Sequence, residues 1–119
     1  MSESRLLRVL TLTALIVTLC GCAAYSVVVR NHSERRIVDS AAVLNGEETV
    51  TGRLGAGAGK MHAFFARKVP KQAEVWWVWE DDVEKRVIVP LKGTVPRVFR
   101  GDIVFVINAD ATVTVRTRK

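Results

Sequence analysis

The chain has 119 residues, a formal net charge of +6 and 49% hydrophobic residues, values that suit one small globular domain and exclude a large multidomain protein. Its two cysteines, Cys20 and Cys22, lie together near the N-terminus. This position excludes both a disulfide scaffold and thiol chemistry in the rest of the chain, so packing must stabilise the domain.

The N-terminal segment has the three parts of a cleavable export signal. Arg5 and Arg8 form a short basic start, Val9 to Leu19 is an uncharged apolar run, and small residues then surround Cys22. An export signal predicts that the domain acts outside the cytoplasm.

The order Leu19-Cys20-Gly21-Cys22 resembles the lipobox of bacterial lipoproteins, in which a branched apolar residue stands three positions before the modified cysteine and a small residue directly before it. The resemblance implies cleavage by signal peptidase II after Gly21 and attachment of lipid, with acyl chains such as palmitate, to Cys22. The resemblance also implies a location. Because Ala23 is not the aspartate that retains many such proteins in the inner membrane, the protein is expected at the periplasmic face of the outer membrane where two membranes are present.

An uncleaved single-span membrane anchor is the alternative for this segment. No residue from Val9 to Val29 is charged, and this run is long enough to cross a bilayer, which takes about 20 residues. Gly21 interrupts the run, however, and Tyr25 to Val29 is rich in β-branched residues that favour a strand. The sequence therefore favours a signal peptide over 1–21, a lipid tether over 22–24 and one domain over 25–117.

The domain consists of short apolar segments separated by turn residues, a pattern that predicts strands. Asn45-Gly46 is a strong hairpin signal because both residues tolerate a positive φ. Eight strands are predicted: Tyr25 to Arg30, Ile37 to Leu44, Glu48 to Leu54, Lys60 to Ala66, Ala73 to Glu80, Val83 to Val89, Asp102 to Ile107 and Thr112 to Arg116.

The predicted fold class is all-β, an antiparallel two-sheet β-sandwich that is immunoglobulin-like in general plan. No apolar pattern with a period of 3.6 residues persists for three turns, which argues against helices. Pro70, Pro90 and Pro96 all fall at strand ends or in connections, where the missing N–H breaks no ladder bond. Eight strands at intervals of roughly ten residues are typical of a sandwich or barrel.

All three tryptophans lie in the segment Glu74 to Glu80. Side chains alternate along a strand, so Val75, Trp77 and Trp79 are predicted to lie in the core and Trp76 on the other face. A three-residue turn at 81–83 is predicted to set Trp77 opposite Val87 and Val75 opposite Val89. Two interpretations of Trp76 follow from its place beside Arg86 and Ile88. It is either a structural tryptophan covered by an arginine stem or a loop, or, because exposed Trp and Arg often anchor interfaces, the candidate partner contact formed by Trp76, Arg86 and Ile88.

Other motifs give no prediction of a cofactor or metal. The glycine-rich segment 52–60 has Leu54 where a phosphate-binding loop needs its first glycine, and no helix is predicted after it. The acidic cluster 80–84 lacks the spacing of a calcium loop, and two histidines are too few for a zinc site. His32, Ser33 and Asp39 have the residue types of a nucleophilic triad without an oxyanion motif.

These observations predict a non-catalytic binding or assembly module that is tethered to a membrane through Cys22. Its expected partner is an envelope protein or a cell-wall polymer, and a nucleic-acid partner is not expected. The basic groups Arg35-Arg36, Arg67-Lys68-Lys71 and Arg116-Arg118-Lys119 indicate attraction to an anionic surface or, alternatively, solvated charges that protect the edges of the sheets. A small envelope hydrolase is the alternative function.

Overall fold

A computed structural model describes residues 24–65 and 68–119. The predicted signal peptide, the predicted lipidation site Cys22 and the predicted end of the fourth strand at Ala66 lie outside the described residues. The described part contains eight strands and no helix, and therefore no membrane-spanning helix. The strands are β1 Tyr25–His32, β2 Ile37–Leu44, β3 Glu47–Val50, β4 Gly59–Phe65, β5 Gln72–Trp79, β6 Glu84–Pro90, β7 Gly101–Asn108 and β8 Val113–Arg118.

The strands form two four-stranded sheets that pack against each other, which confirms the predicted all-β sandwich. The first sheet has the order β4-β1-β7-β8, and the second has the order β3-β2-β5-β6. All strand pairs are antiparallel except β1 and β7, which run parallel from Tyr25 opposite Gly101 to His32 opposite Asn108. This parallel pair arises because connection 91–100 crosses from the second sheet to the first at the end where β1 begins.

The core lies between the two sheets and follows from side-chain alternation. The first sheet contributes inward-facing residues from β1 and β7, and the second contributes Val75, Trp77 and Trp79, all of which are buried as predicted. The rings of Trp77 and Trp79 meet edge to face, with centroids 5.8 Å apart. The core residues from β1 and β7 are Tyr25, Val27, Val29, Ile103, Phe105 and Ile107.

Two local features shape the second sheet. Asn45 and Gly46 form the predicted turn between β2 and β3, with φ angles of 54° and 74°. β3 ends at Val50 instead of extending to Leu54, because the backbone N–H groups of Thr51 and Gly52 both donate to the carbonyl of Ser40 and Gly52 turns the chain with φ 67°. Leu54 is nevertheless buried beside Ile37.

The predicted register between β5 and β6 is wrong by two residues. Trp77 lies opposite Lys85 and Val75 opposite Val87. The turn closes earlier than predicted, because the N–H of Trp79 donates to the carbonyl of Val83 and Asp82 adopts a φ of 65°. A shift of two residues preserves the alternation, so the predicted assignment of side chains to the two faces is retained.

The connections between strands gather at the two ends of the sandwich. We call the end where β1 begins the entry end; it carries turn 45–46, connection 68–71 and connection 91–100. The opposite end carries connections 33–36, 51–58, 80–83 and 109–112.

Candidate functional site

The outer surface of the second sheet carries the three residues predicted as a partner contact, and we call this surface the tryptophan face. Trp76 lies directly opposite Arg86, and Ile88 lies two residues further along β6. Trp76 is partly buried, whereas Ile88 is 54% exposed. The structure therefore brings the three predicted residues together on one surface.

Arg86 is held in place over the indole of Trp76. Its guanidinium carbon lies 5.8 Å from the ring centroid, within the range of a cation–π contact. Its Nη1 donates to Glu74 at 2.6 Å and its Nη2 lies 3.0 Å from a carboxylate oxygen of Glu84. The hydrogen bond with Glu74 is the main cause that raises the pKa of Arg86 above its ordinary value, so this side chain stays charged.

The remaining residues of the tryptophan face follow from the register of the four strands. The whole tryptophan face has four acidic residues and one basic residue, Arg86, so it has an apolar centre with an acidic rim. Val50, on the edge strand β3, is 48% exposed and extends the apolar centre away from Trp76. The apolar members are Ala41, Val43, Val50, Trp76, Val78 and Ile88, and the acidic members are Asp39, Glu48, Glu74 and Glu84.

A second candidate site is a groove of about 630 Å³ at the entry end, which we call the basic groove. Connections 68–71 and 91–97 form its two walls, and Asn45 closes one side. The N–H of Val69 donates to the carbonyl of Arg97 at 2.7 Å, and the N–H of Leu91 donates to the carbonyl of Lys71 at 2.8 Å. These bonds join the two walls, so the groove is a fixed part of the fold.

The lining of the basic groove combines cations with apolar surface. Lys68, Lys71, Lys92 and Arg97 are exposed around it, and no acidic side chain lines it. None of the ion pairs among the described residues includes these four cations. Val69 and Val95 are buried beneath them, and Pro70 and Pro96 stiffen the two walls.

Sequence reasoning missed the groove because its cations come from two connections that are more than twenty residues apart. The sequence places Lys68 and Lys71 in one basic group with Arg67, which lies outside the described residues. The available signal was the composition of 91–100, which holds three basic residues and no acidic residue.

The residue types that suggested other chemistry are engaged elsewhere. The Ser33 hydroxyl donates to the side-chain oxygen of Asn31 at 2.6 Å, and a carboxylate oxygen of Asp39 accepts from the N–H of Ser40. Across 24–65 and 68–119, no group of three His, Cys, Asp or Glu residues is placed to hold a metal ion. The glycine-rich loop is tied to β1, since the N–H of Gly57 donates to the carbonyl of Asn31.

No family model and no curated protein sequence matches this chain. A protein from Eubacterium rectale, whose structure was determined by NMR, has a similar fold, with a TM-score of 0.59 and 16% sequence identity. The similarity covers 83% of this chain and 92% of that chain. At this identity it shows a shared β-sandwich and carries no function across.

Proposed function

We propose that this protein is a lipoprotein of the bacterial cell envelope, anchored through Cys22, whose domain is a non-catalytic module that binds another envelope protein. The tryptophan face is the binding surface. The observation that carries this proposal is the apolar centre formed by Trp76, Ile88 and Val50 on the outer surface of the second sheet. All eight strands of the described residues belong to the two sheets, so none of them covers this centre.

The preorganisation of this surface supports a binding role. Tryptophan and arginine are enriched among the residues that dominate the free energy of protein association. Tryptophan buries a large rigid surface, and the planar guanidinium of arginine donates several hydrogen bonds in a fixed geometry. Arg86 is already held between Glu74 and Glu84 over the indole, so little side-chain entropy would be lost when a partner covers it.

The acidic rim indicates which partner the face would bind. Carboxylates repel phosphate-rich cell-wall polymers and anionic lipids, and they attract basic side chains. The partner is therefore a protein with an apolar patch bordered by lysine or arginine. In an outer-membrane lipoprotein such a partner would reach the face from the periplasm.

A photo-crosslinking residue placed at Ile88 in the full-length, membrane-anchored protein tests this proposal. Met61 provides a matched control, because it is 55% exposed and lies on β4, an edge strand of the other sheet. We expect a covalent adduct of defined mass from position 88 and none from position 61. We also expect the adduct to be lost when Trp76→Ala is added and to be digested by protease.

Three results would contradict the proposal. Equal adducts from both positions would show that the tryptophan face is not selective. An adduct that muramidase degrades but protease does not would identify a cell-wall polymer as the partner. Turnover of isolated cell wall by the purified protein would favour the hydrolase alternative.

A further inference from the structure

The two ends of the sandwich carry opposite charge. Among the described residues, the connections of the entry end contain five basic residues and no acidic residue: Lys68, Lys71, Lys92, Arg97 and Arg100. The connections of the opposite end contain five acidic and three basic residues: Glu34, Glu80, Asp81, Asp82, Asp110, Arg35, Arg36 and Arg53. The connections at the two ends therefore differ in charge: those of the entry end are basic, and those of the opposite end have an excess of acidic residues.

The positive end coincides with the end at which the chain enters the domain. Tyr25 begins β1 at the entry end, and Gly101, which follows connection 91–100, lies opposite it. Three peptide units reach at most about 11 Å, so a lipid on Cys22 would hold this end close to the bilayer surface. The opposite end would then point away from the membrane, with its excess of carboxylates.

We propose that the basic groove binds the phosphate groups of anionic lipid headgroups, so that the domain docks on the bilayer with its entry end. This inference rests on the proposed lipid anchor for the direction in which the groove points.

The chemistry of the groove fits a lipid phosphate. Lysine and arginine donate charge-assisted hydrogen bonds to phosphate oxygens, and the four cations of the groove have no ion pair within the described residues that such an anion would have to displace. Each cation near an anionic bilayer strengthens attachment by about fivefold. The buried Val69 and Val95 and the two prolines give the groove an apolar base against which the glycerol part of a headgroup can pack.

Docking would also present the tryptophan face. The strands run from the entry end to the opposite end, so they would stand away from the membrane when the entry end lies on it. Trp76 lies in the middle of β5, clear of both ends, and would face sideways into the periplasm. The lipid anchor, the groove and the tryptophan face thus occupy separate parts of the molecule.

The test uses the full-length lipidated protein reconstituted into vesicles, with a bimane fluorophore on Thr94→Cys. Thr94 lines the groove and is exposed. A nitroxide on the headgroup of a trace phosphatidylcholine quenches bimane only at contact range. One set of vesicles contains phosphatidylcholine alone, and in the other phosphatidylglycerol replaces part of it; the lipid anchor is the same in both.

We expect strong quenching in the vesicles that contain phosphatidylglycerol and weak quenching in phosphatidylcholine alone. The double variant Lys71→Glu/Lys92→Glu should lower the ratio of docked to undocked protein by about 25-fold or more, the product of two fivefold losses. Arg36→Glu/Arg53→Glu is the matched control, because it makes the same change in net charge at exposed positions of the opposite end. This control should leave the quenching unchanged.

Equal quenching in both kinds of vesicle, or equal loss in both double variants, would overturn the groove as a headgroup site. Binding of inorganic phosphate to the protein, together with no gain of quenching when phosphatidylglycerol is present, would show that the groove selects free phosphate rather than a lipid. Failure of the protein to float with phosphatidylcholine vesicles would instead contradict the lipid anchor, so the two proposals fail in different ways.

Discussion

Trp76 and Trp77 are neighbours in the chain but lie in opposite environments. Trp77 is 0% exposed and packs edge to face on Trp79, whereas Trp76 is partly exposed under Arg86. We expect Trp77→Ala to lower the free energy of unfolding by about 3–5 kcal/mol, the cost of a large core truncation, and Trp76→Ala to lower it clearly less. Denaturant titration of both variants checks this, and equal losses would show that the two faces of β5 are assigned wrongly.

Asp102 makes the stability of the fold depend on pH. It accepts a hydrogen bond from the Ser26 hydroxyl and two from Arg118, and these bonds, with the one from Ser26 first, lower the pKa of its carboxyl. The folded-state pKa is thus below the unfolded-state value of about 3.9, so the stabilisation is complete only above about pH 5, starts to decrease as the pH approaches the unfolded-state pKa, and is lost as the pH falls through the folded-state pKa.

The variant Asp102→Asn should therefore be less stable at neutral pH and should lose less stability on acidification than the parent chain. Thermal unfolding of the two proteins between neutral pH and about pH 2 measures this difference. Parallel curves for the two proteins would show that Asp102 is not responsible.

At the level of strands, two hairpins share one turn geometry. In β5–β6 and in β7–β8, a three-residue loop ends in a residue with positive φ: Asp82 at 65° and Ala111 at 66°. Alanine is strained in this region by about 1–2 kcal/mol, and aspartate tolerates it better. Part of any gain from glycine is offset by the larger entropy of the unfolded chain.

Ala111→Gly should therefore raise the free energy of unfolding by about 0.5–1 kcal/mol, and Asp82→Gly should raise it by less. Differential scanning calorimetry of the two variants provides the comparison. A lower Tm for Ala111→Gly would mean that the turn does not impose this strain.

The eight strands were predictable because short apolar segments are separated by turn residues. The faces of β5 were predictable because successive side chains point to opposite sides of any strand. The β5–β6 register was not predictable, since it depends on which residue of Glu80-Asp81-Asp82 adopts a positive φ. The parallel pairing of β1 with β7 joins segments more than 70 residues apart and depends on the path of connection 91–100. No local pattern encodes that path.

The candidate sites also include one that the sequence could predict, the tryptophan face, and one that it could not, the basic groove. Trp76, Arg86 and Ile88 could be placed together because neighbouring strands of one hairpin share a face whichever even register they adopt. The basic groove could not be predicted, since its walls meet only when the β4–β5 and β6–β7 connections reach the same end of the sandwich.

For the molecule as a whole, we propose a lipid anchor at Cys22, a basic end that docks on the bilayer and a side face that binds a protein partner. Cys22→Ala should leave a larger, uncleaved precursor that incorporates no labelled fatty acid, because the processing enzymes need the cysteine. Cys20→Ala should leave both cleavage and labelling intact. Gel mobility and fatty-acid labelling in cells distinguish the two variants, and labelling of the Cys22→Ala chain would assign the lipid elsewhere.

The most direct measurement is the mass of the N-terminal tryptic peptide of the protein purified from membranes. Trypsin cleaves after Arg30, so the anchored protein should yield a peptide that begins at Cys22, ends at Arg30 and carries the added mass of diacylglycerol. A peptide from the same preparation with Cys22 unmodified, or one that contains Gly21 joined to Cys22, would contradict the lipid anchor on which the proposed function depends.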